Sequence, residues 1–272
     1  MDAIKAPVAS TAECIEAITR WRRIRGHSEG TIYLDTWILN ALGVPPQLAT
    51  VADLERVVTR NRNKGSRATY ASRLHSCFDA LRKMHVITTM VDEDLPRLRP
   101  PENIPRPLSD DQVSRLLTTM TGPALDAVRI GMLAGTRAME ICAMRGDDLS
   151  FGQHGAELLL HGKGDKHVAI PAHPTVVKII ESRGTLGRLF PQWSTPCIVS
   201  RMVGAQMRAA LGGERVTFHQ CRHTFGTRVM VASDHDLLLV QKLLRHSAIS
   251  STLAYVKLAD ERPRMAIDRL AG

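Results

Sequence analysis

The chain of 272 residues carries 36 Lys and Arg against 27 Asp and Glu, a formal charge of +9 with a pI near 9.7. Its composition, 44% apolar and 23% charged, excludes a disordered chain, and no run of eighteen apolar residues offers a membrane span. Five scattered cysteines without a CxxC pair exclude a disulfide framework and a zinc cage, and read as reduced thiols of a cytoplasmic protein.

Met1-Asp2-Ala3 opens the chain without a basic flank and apolar run, so no secretory signal is expected. Ser10-x-x-Glu13 is a capping box that predicts a helix to about Arg25, stopped by Gly26. A second helix is predicted from Glu29 to Leu42, ended by Gly43 and Pro45-Pro46. A third begins at Thr50 with Asp53 in its first turn, and a fourth runs from Ser66 to His85 with Tyr70, Leu74, Phe78 and Leu81 on one face. No strand is needed, so residues 1–92 read as a small all-α bundle.

Residues 93–107 carry Pro96, Pro100, Pro101, Pro105 and Pro107 with no apolar periodicity, the pattern of a linker. Divided after Arg106, the chain has a net charge of +4 before the cut and +5 after it, as expected if both parts touch one polyanion. Aromatic residues make up only 4%, which suits duplex phosphate contact better than stacking on single strands. The stretch from Thr59 to Ser76 holds Arg60, Arg62, Lys64, Arg67 and Arg73 with no acid. It reads either as a solvated helix face or as a DNA-contacting one. Arg20, Arg22, Arg23 and Arg25 form a second basic cluster.

From residue 108 onward, Ser109-x-x-Gln112 caps a helix and Pro123 to Ala134 forms another, ended by Gly135. Glu157-Leu158-Leu159-Leu160 and Val168-Ala169-Ile170 flank a Gly-Lys-Gly-Asp-Lys turn and predict a hairpin. The remainder alternates helical patterns with breaks. The fold class is therefore mainly α with a small β-sheet: an all-α bundle, then a mixed α/β domain over residues 108–272.

Four places could carry chemistry. Arg137 opens a helix after a glycine stop, which suits either an anion or a surface pair with Glu140. Lys163 stands at the hairpin tip, where it is either solvated or inserted into a nucleic-acid groove; the GxxxxGK[ST] pattern of nucleotide binding is absent. His219 and Arg222 share a helical face, and His219 and His223 have a metal-ligand spacing without an obvious third ligand. Leu244-Arg245-His246 precedes Tyr255, a ring whose spacing alone suggests packing.

Taken in order, these segments resemble the tyrosine site-specific recombinase (phage integrase) family. The matching pieces are Ala134-Gly135-Thr136-Arg137-Ala138-Met139-Glu140, Lys163, His219-Gln220-Cys221-Arg222-His223-Thr224-Phe225, Leu244-Arg245-His246 and Tyr255, spread over about residues 107 to 260. Two positions depart from the family pattern: Arg245 replaces the usual glycine, and Cys221 stands where leucine is common. The helical bundle resembles the family's core-binding domain more loosely. About ten residues precede the first helix, so the further arm-binding module of many phage integrases is not expected.

The resemblance implies transesterification in duplex DNA without ATP, cofactor or metal. Tyr255 would attack a phosphodiester to form a 3′-phosphotyrosyl bond, with Arg137 and Arg222 clamping the non-bridging oxygens. His219 would transfer a proton with the tyrosine or bond the phosphate. Lys163 would protonate the leaving 5′-oxygen, His246 would donate to the phosphate, and Glu140 would orient an arginine. The implied partners are double-stranded recombination sites and three further copies of the chain in a synaptic tetramer, with room for accessory DNA-bending or directionality factors and no membrane. The tail, with Leu258, Met265, Ile267 and Leu270, would dock on a neighbouring subunit or on its own domain. Competing readings are a type IB topoisomerase-like enzyme, a non-catalytic DNA-binding protein of the same fold, and a metal hydrolase built on His219 and His223.

Overall fold

The computed structural model describes residues 8–102, 104–162, 167–246 and 248–259, the last stretch without the side chains of residues 250 and 256–259. Lys163 and the tail anchors Met265, Ile267 and Leu270, together with the Leu258 side chain, lie outside the described residues. The chain divides into two compact units, Met1–Glu102 and Asn103–Gly272.

The first unit is helical. Helix α1 (Thr11–Ile24) begins at Ser10, whose side chain and that of Glu13 bond each other's backbone N–H groups; Gly26 follows with φ 69°. Helix α2 spans Glu29–Ala41, and α3 (Val51–Thr59) carries the reciprocal Thr50–Asp53 cap. Helix α4 (Lys64–Lys83) starts two residues earlier than its pattern suggests, because Asn63 accepts the N–H groups of Gly65 and Ser66. Leu74, Phe78 and Leu81 are fully buried with Ile18, Ile38, Leu39 and Leu54. Tyr70, from the same stripe, is half-buried and lies 5.2 Å from the Trp37 ring. The predicted linker does not begin free: Leu95 is buried in this core after a 3-10 turn, Val91–Asp94.

This unit also holds a buried charge centre that the sequence pattern hides. Asp35, with no exposed surface, accepts Arg22 Nε at 2.9 Å and both Nε (2.6 Å) and Nη2 of Arg73. Arg22 also donates to Ser76 Oγ at 2.8 Å. A carboxylate this deep requires cations, and two of the arginines expected on the outer surface supply them.

In the second unit, α5 (Asp110–Thr119) has the expected Ser109–Gln112 cap. Helix α6 (Gly122–Ala134) is mostly buried and lies against α10 (His219–Ala232), where Gly131 permits a close approach: a Cβ there would stand 2.8 Å from Cys221. Short helix α7 (Ala138–Ala143) follows the Gly135 stop. The sheet has three antiparallel strands in order, β1 (Leu149–Gly152), β2 (Gly155–His161) and β3 (His167–Pro171), with Leu149 opposite Leu158 and Leu158 opposite Ile170. Strand β1 was not expected: its exposed Ser150-Phe151-Gly152 shows no alternation of buried and exposed positions. Helices α8 (Pro174–Arg183) and α9 (Pro196–Ala210) complete the main core, around Phe190, Trp193 and Phe218. Helices α11 (Leu237–Leu244) and α12 (Ser250–Ala259) close a second, smaller apolar cluster of Phe225, Met230, Val240, Leu244 and Tyr255. Among the described residues no helix is long and apolar enough to cross a membrane.

Candidate active site

Helix α6 ends because Gly135 turns left-handed, φ 58° and ψ 35°. A side chain is excluded there twice over, by that φ and by the Phe225 ring, which a Cβ would approach to 2.4 Å. The turn delivers Arg137 to the start of α7. Glu140, one helical turn on, accepts the Arg137 backbone N–H at 2.8 Å and its Nη1–H at 2.9 Å. The Arg137 side chain remains 33% exposed while Glu140 has no exposed side-chain surface, so the guanidinium is oriented from behind and open in front.

Helix α10 supplies His219, Arg222 and His223 on one face. Arg222 is 1% exposed; it donates from Nη1 to the Gly135 carbonyl at 2.6 Å and from Nη2 to the Leu244 carbonyl. Two of its five N–H donors are thereby used to seat it against the ends of α6 and α11. Thr224, on the same helix, accepts the Leu108 N–H at 2.9 Å, which pins the entry of the domain to α10. Burial, then Arg137 and Arg245, push the Arg222 pKa down to about 9, so it is still a cation at neutral pH.

After α11 the chain turns at Arg245 and presents His246, whose Nδ1 lies 2.9 Å from Thr252 Oγ1 on α12. One turn further along α12, Tyr255 is 2% exposed, packed among the apolar side chains of the smaller cluster. Its ring fits because position 226 is glycine; a Cβ there would stand 2.6 Å from Tyr255 Cε1. The ring whose nitrogen faces the phenolic oxygen is His223, with Nδ1 at 2.9 Å, and not His219, the residue expected to exchange the proton. His219 meets His223 edge to face with centroids 4.6 Å apart. The signal that could have singled out His223 is its place one turn beyond His219 on the same face.

Burial lowers the pKa of His223 and of His246 to about 4, aided by neighbouring cations, so both rings are neutral at pH 7. His219 keeps exposed surface, yet partial desolvation, then Arg222 and Arg137, push it below the ordinary imidazole value. Desolvation raises the Tyr255 phenol, and Arg222 and Arg137 work against that rise. Burial would raise Glu140 as well, but Arg245, the Arg137 N–H, and the Arg137 and Arg222 charges together hold it below the usual carboxylate range.

The last pair of β2 and β3 is His161 opposite His167, with their Nδ1 atoms 2.9 Å apart and His161 Nε2 2.6 Å from Asp148 Oδ1. Among the described residues, no group of three or more His, Cys, Asp or Glu side chains is arranged to hold a metal, and His219 and His223 stand without a third ligand.

In the first unit, Arg60, Arg62 and Lys64 are exposed around the junction of α3 and α4. Arg67 is half-buried and donates from Nε to the Asn61 carbonyl at 2.8 Å. Arg73 does not join them, because its guanidinium is held by Asp35. In the other basic cluster Arg22 is buried on the same carboxylate, Arg23 pairs with Glu29 at 3.2 Å, and Arg25 lies over the Trp21 ring.

The model of the phage integrase family matches residues 106–262. Tyrosine recombinase XerA of Pyrococcus furiosus is 26% identical over 280 aligned positions, covering 95% of this chain and 94% of its own. Tyrosine recombinase XerC of Brucella melitensis is 25% identical, covering 93% and 91%. Among solved structures, a lambda integrase dimer bound to a COC′ core site superposes with a TM-score of 0.71 at 18% identity, covering 94% of this chain and 79% of that one. A lambda integrase tetramer bound to a Holliday junction gives 0.66 at 17%, covering 88% and 78%. The Tn1549 transposon integrase in complex with transposon right end DNA gives 0.66 at 19%, covering 95% and 99%.

Proposed function

The chain belongs to the phage integrase family, the tyrosine recombinases, and on that premise we propose that it cuts and rejoins duplex DNA at specific sites through a 3′-phosphotyrosyl intermediate on Tyr255. The observation that carries this reading is the convergence on one phenol of arginines and histidines from separate helix ends: Arg137 before α7, Arg222 and His223 on α10, and His246 after α11.

In the proposed reaction the phenolic oxygen bonds to the scissile phosphorus as the bond to the 5′-oxygen breaks, and Lys163 protonates that departing oxygen to give a 5′-hydroxyl. A 5′-hydroxyl of a second strand then attacks the phosphotyrosine and restores the phenol. Each step exchanges one phosphoester for another, so no ATP is consumed. Arg137 and Arg222 hold the non-bridging oxygens where negative charge builds up, an effect worth on the order of 10²–10³ in rate for each such donor. The His246 Nδ1 is engaged with Thr252, which leaves Nε2 to donate to the phosphate, and His219 bonds the phosphate or relays a proton. Two arginines and a lysine supply the positive charge, so the reading calls for no metal.

Loss of the phenolic proton is not the work of the nearest imidazole. His223 faces the hydroxyl, but burial has lowered its pKa to about 4 while raising that of the phenol, so the ring is too weak a base to hold that proton. His223 therefore orients the hydroxyl, the Arg222 and Arg137 charges favour the phenolate, and the proton passes by way of His219 to solvent as the phosphodiester is attacked.

Duplex binding is assigned to Arg60, Arg62 and Lys64 as phosphate contacts, while Arg67 and Arg73 are engaged by the Asn61 carbonyl and by Asp35. Exchange between two sites involves four strands and so four copies of the chain on DNA. The test begins with duplexes enriched from a random-sequence pool by binding to the full chain, then nicked across the selected site so that the cut fragment is lost. A covalent adduct on denaturing gels that disappears in Tyr255→Phe, with binding kept, is the expected result. Bound but unreacted duplex, or an adduct that persists in Tyr255→Phe, overturns the reading. Relaxation of supercoiled plasmid lacking the site would instead favour the topoisomerase-like activity.

A further inference from the structure

The position at which the sequence departs from the family's glycine, Arg245, is in the left-handed conformation, φ 55° and ψ 44°, which disfavours any residue with a Cβ. Glycine would adopt it freely, so the arginine is present for its side chain. We propose that Arg245 is a positioning residue of the strand-transfer site, tying Glu140 to the carbonyl ends of α6 and α11 so that Arg137 and Arg222 are held at a fixed spacing. The inference rests on the function proposed above.

The contacts converge. Arg245 donates from Nη1 to the Leu243 carbonyl at 2.6 Å and to that of Ala134 at 3.4 Å, and from Nη2 to the Gly135 carbonyl at 2.9 Å and to Glu140 Oε2 at 2.8 Å. Its side chain is 7% exposed, so it is no surface ornament and faces inward. The Gly135 carbonyl also accepts Arg222, and Glu140 also accepts Arg137, so one carbonyl and one carboxylate are each shared by two guanidiniums. Arg137 Nη2 in turn reaches the Arg245 carbonyl at 3.5 Å. A cation between the carboxyl ends of two helices is favoured by their dipoles, and a planar fork can bridge several acceptors where an ammonium cannot.

With glycine at 245, Glu140 would keep only Arg137 and the more distant charge of Arg222. Those three cations, from α11, α7 and α10, are the charged groups that oppose its desolvation. Deleting Arg245 raises the Glu140 pKa, and a protonated Glu140 releases its hold on Arg137.

The test uses full-length protein and the selected nicked duplex at saturation. Arg245→Gly is expected to form adduct about tenfold to a hundredfold more slowly, with DNA affinity within about threefold of wild type. Its acid limb moves to higher pH, and that movement disappears in a Glu140→Gln background. Arg245→Lys recovers only part of the rate. Should the glycine variant fail to fold, the lysine variant decides: a wild-type rate overturns the proposal. A readout without DNA separates this inference from the function. With carbon-13 at the glutamate carboxyls, the Glu140 resonance, identified by its loss in Glu140→Gln, titrates below the ordinary range in wild type and higher in Arg245→Gly or Arg245→Lys. An unchanged midpoint overturns the positioning role whether or not the protein cuts DNA, and a shifted midpoint with no wild-type adduct counts against the function alone.

Discussion

The Tyr255 phenolic oxygen and His223 Nδ1 stand 2.9 Å apart although 32 positions separate them in the chain. Because the imidazole is neutral and weakly basic, the contact aims the hydroxyl more than it activates it. Replacing His223 with alanine should slow adduct formation by about tenfold, less than the 10²–10⁴ of a lost general base. Single-turnover rates on the nicked duplex check this, and a loss as complete as that of Tyr255→Phe would make His223 the base.

The glycine beneath that ring sets a steric limit. Gly226→Ala would bring a methyl to 2.6 Å from the Tyr255 ring and 2.9 Å from Leu244 Cδ1. Overpacking of this kind should destabilise the protein by about 1–3 kcal/mol and displace the tyrosine. Urea unfolding measures the first effect and the rate of adduct formation the second.

Stability should fall with acid in a defined window. His223 and His246 are held at about 4 in the folded chain, below the ~6.5 of an unfolded histidine, so the folded state binds fewer protons. Their contribution is complete above about pH 6.5, declines as the pH drops, and is gone below about 4. Urea midpoints between pH 7 and 4.5 should fall steeply for wild type and less steeply for the His223→Gln, His246→Gln pair. Equal slopes would contradict the assignment.

Asp35 holds two arginines at the centre of the first unit, so Asp35→Ala leaves two cations without their partner. A loss of about 3–5 kcal/mol is expected, seen as early unfolding of this unit in denaturant. Exchange of Arg73 alone should likewise act on stability before it acts on DNA affinity.

The exposed cations at the junction of α3 and α4 should behave differently. The triple change of Arg60, Arg62 and Lys64 to alanine should leave folding intact and weaken duplex binding. It should also make the dependence of log affinity on log salt shallower by about 0.9 for each phosphate no longer neutralised. An unchanged salt slope would move the DNA-binding surface elsewhere.

Much of this was legible in the sequence where the determining residues lie close together. The Ser10–Glu13 and Ser109–Gln112 caps, the stops at Gly26 and Gly135, and the hairpin flanking Lys163 are all local signals, and each element lies where its signal points. What stayed hidden depends on distant partners. Arg73 looks like a surface cation until Asp35, 38 residues away, is brought beneath it. Arg245 looks like a neutral departure from a glycine until Glu140, 105 residues away, is placed against it. Strand β1 forms by pairing alone, with no pattern of its own.

Tyr255 is rooted in the smaller apolar cluster of α10, α11 and α12 and not in the main core of its domain. Segments held by few apolar contacts open at free energies well below that of global unfolding. Helix α12 is therefore expected to open at a lower free energy than the main core, so that displacing the Tyr255 ring would be a local event separable from the integrity of the domain.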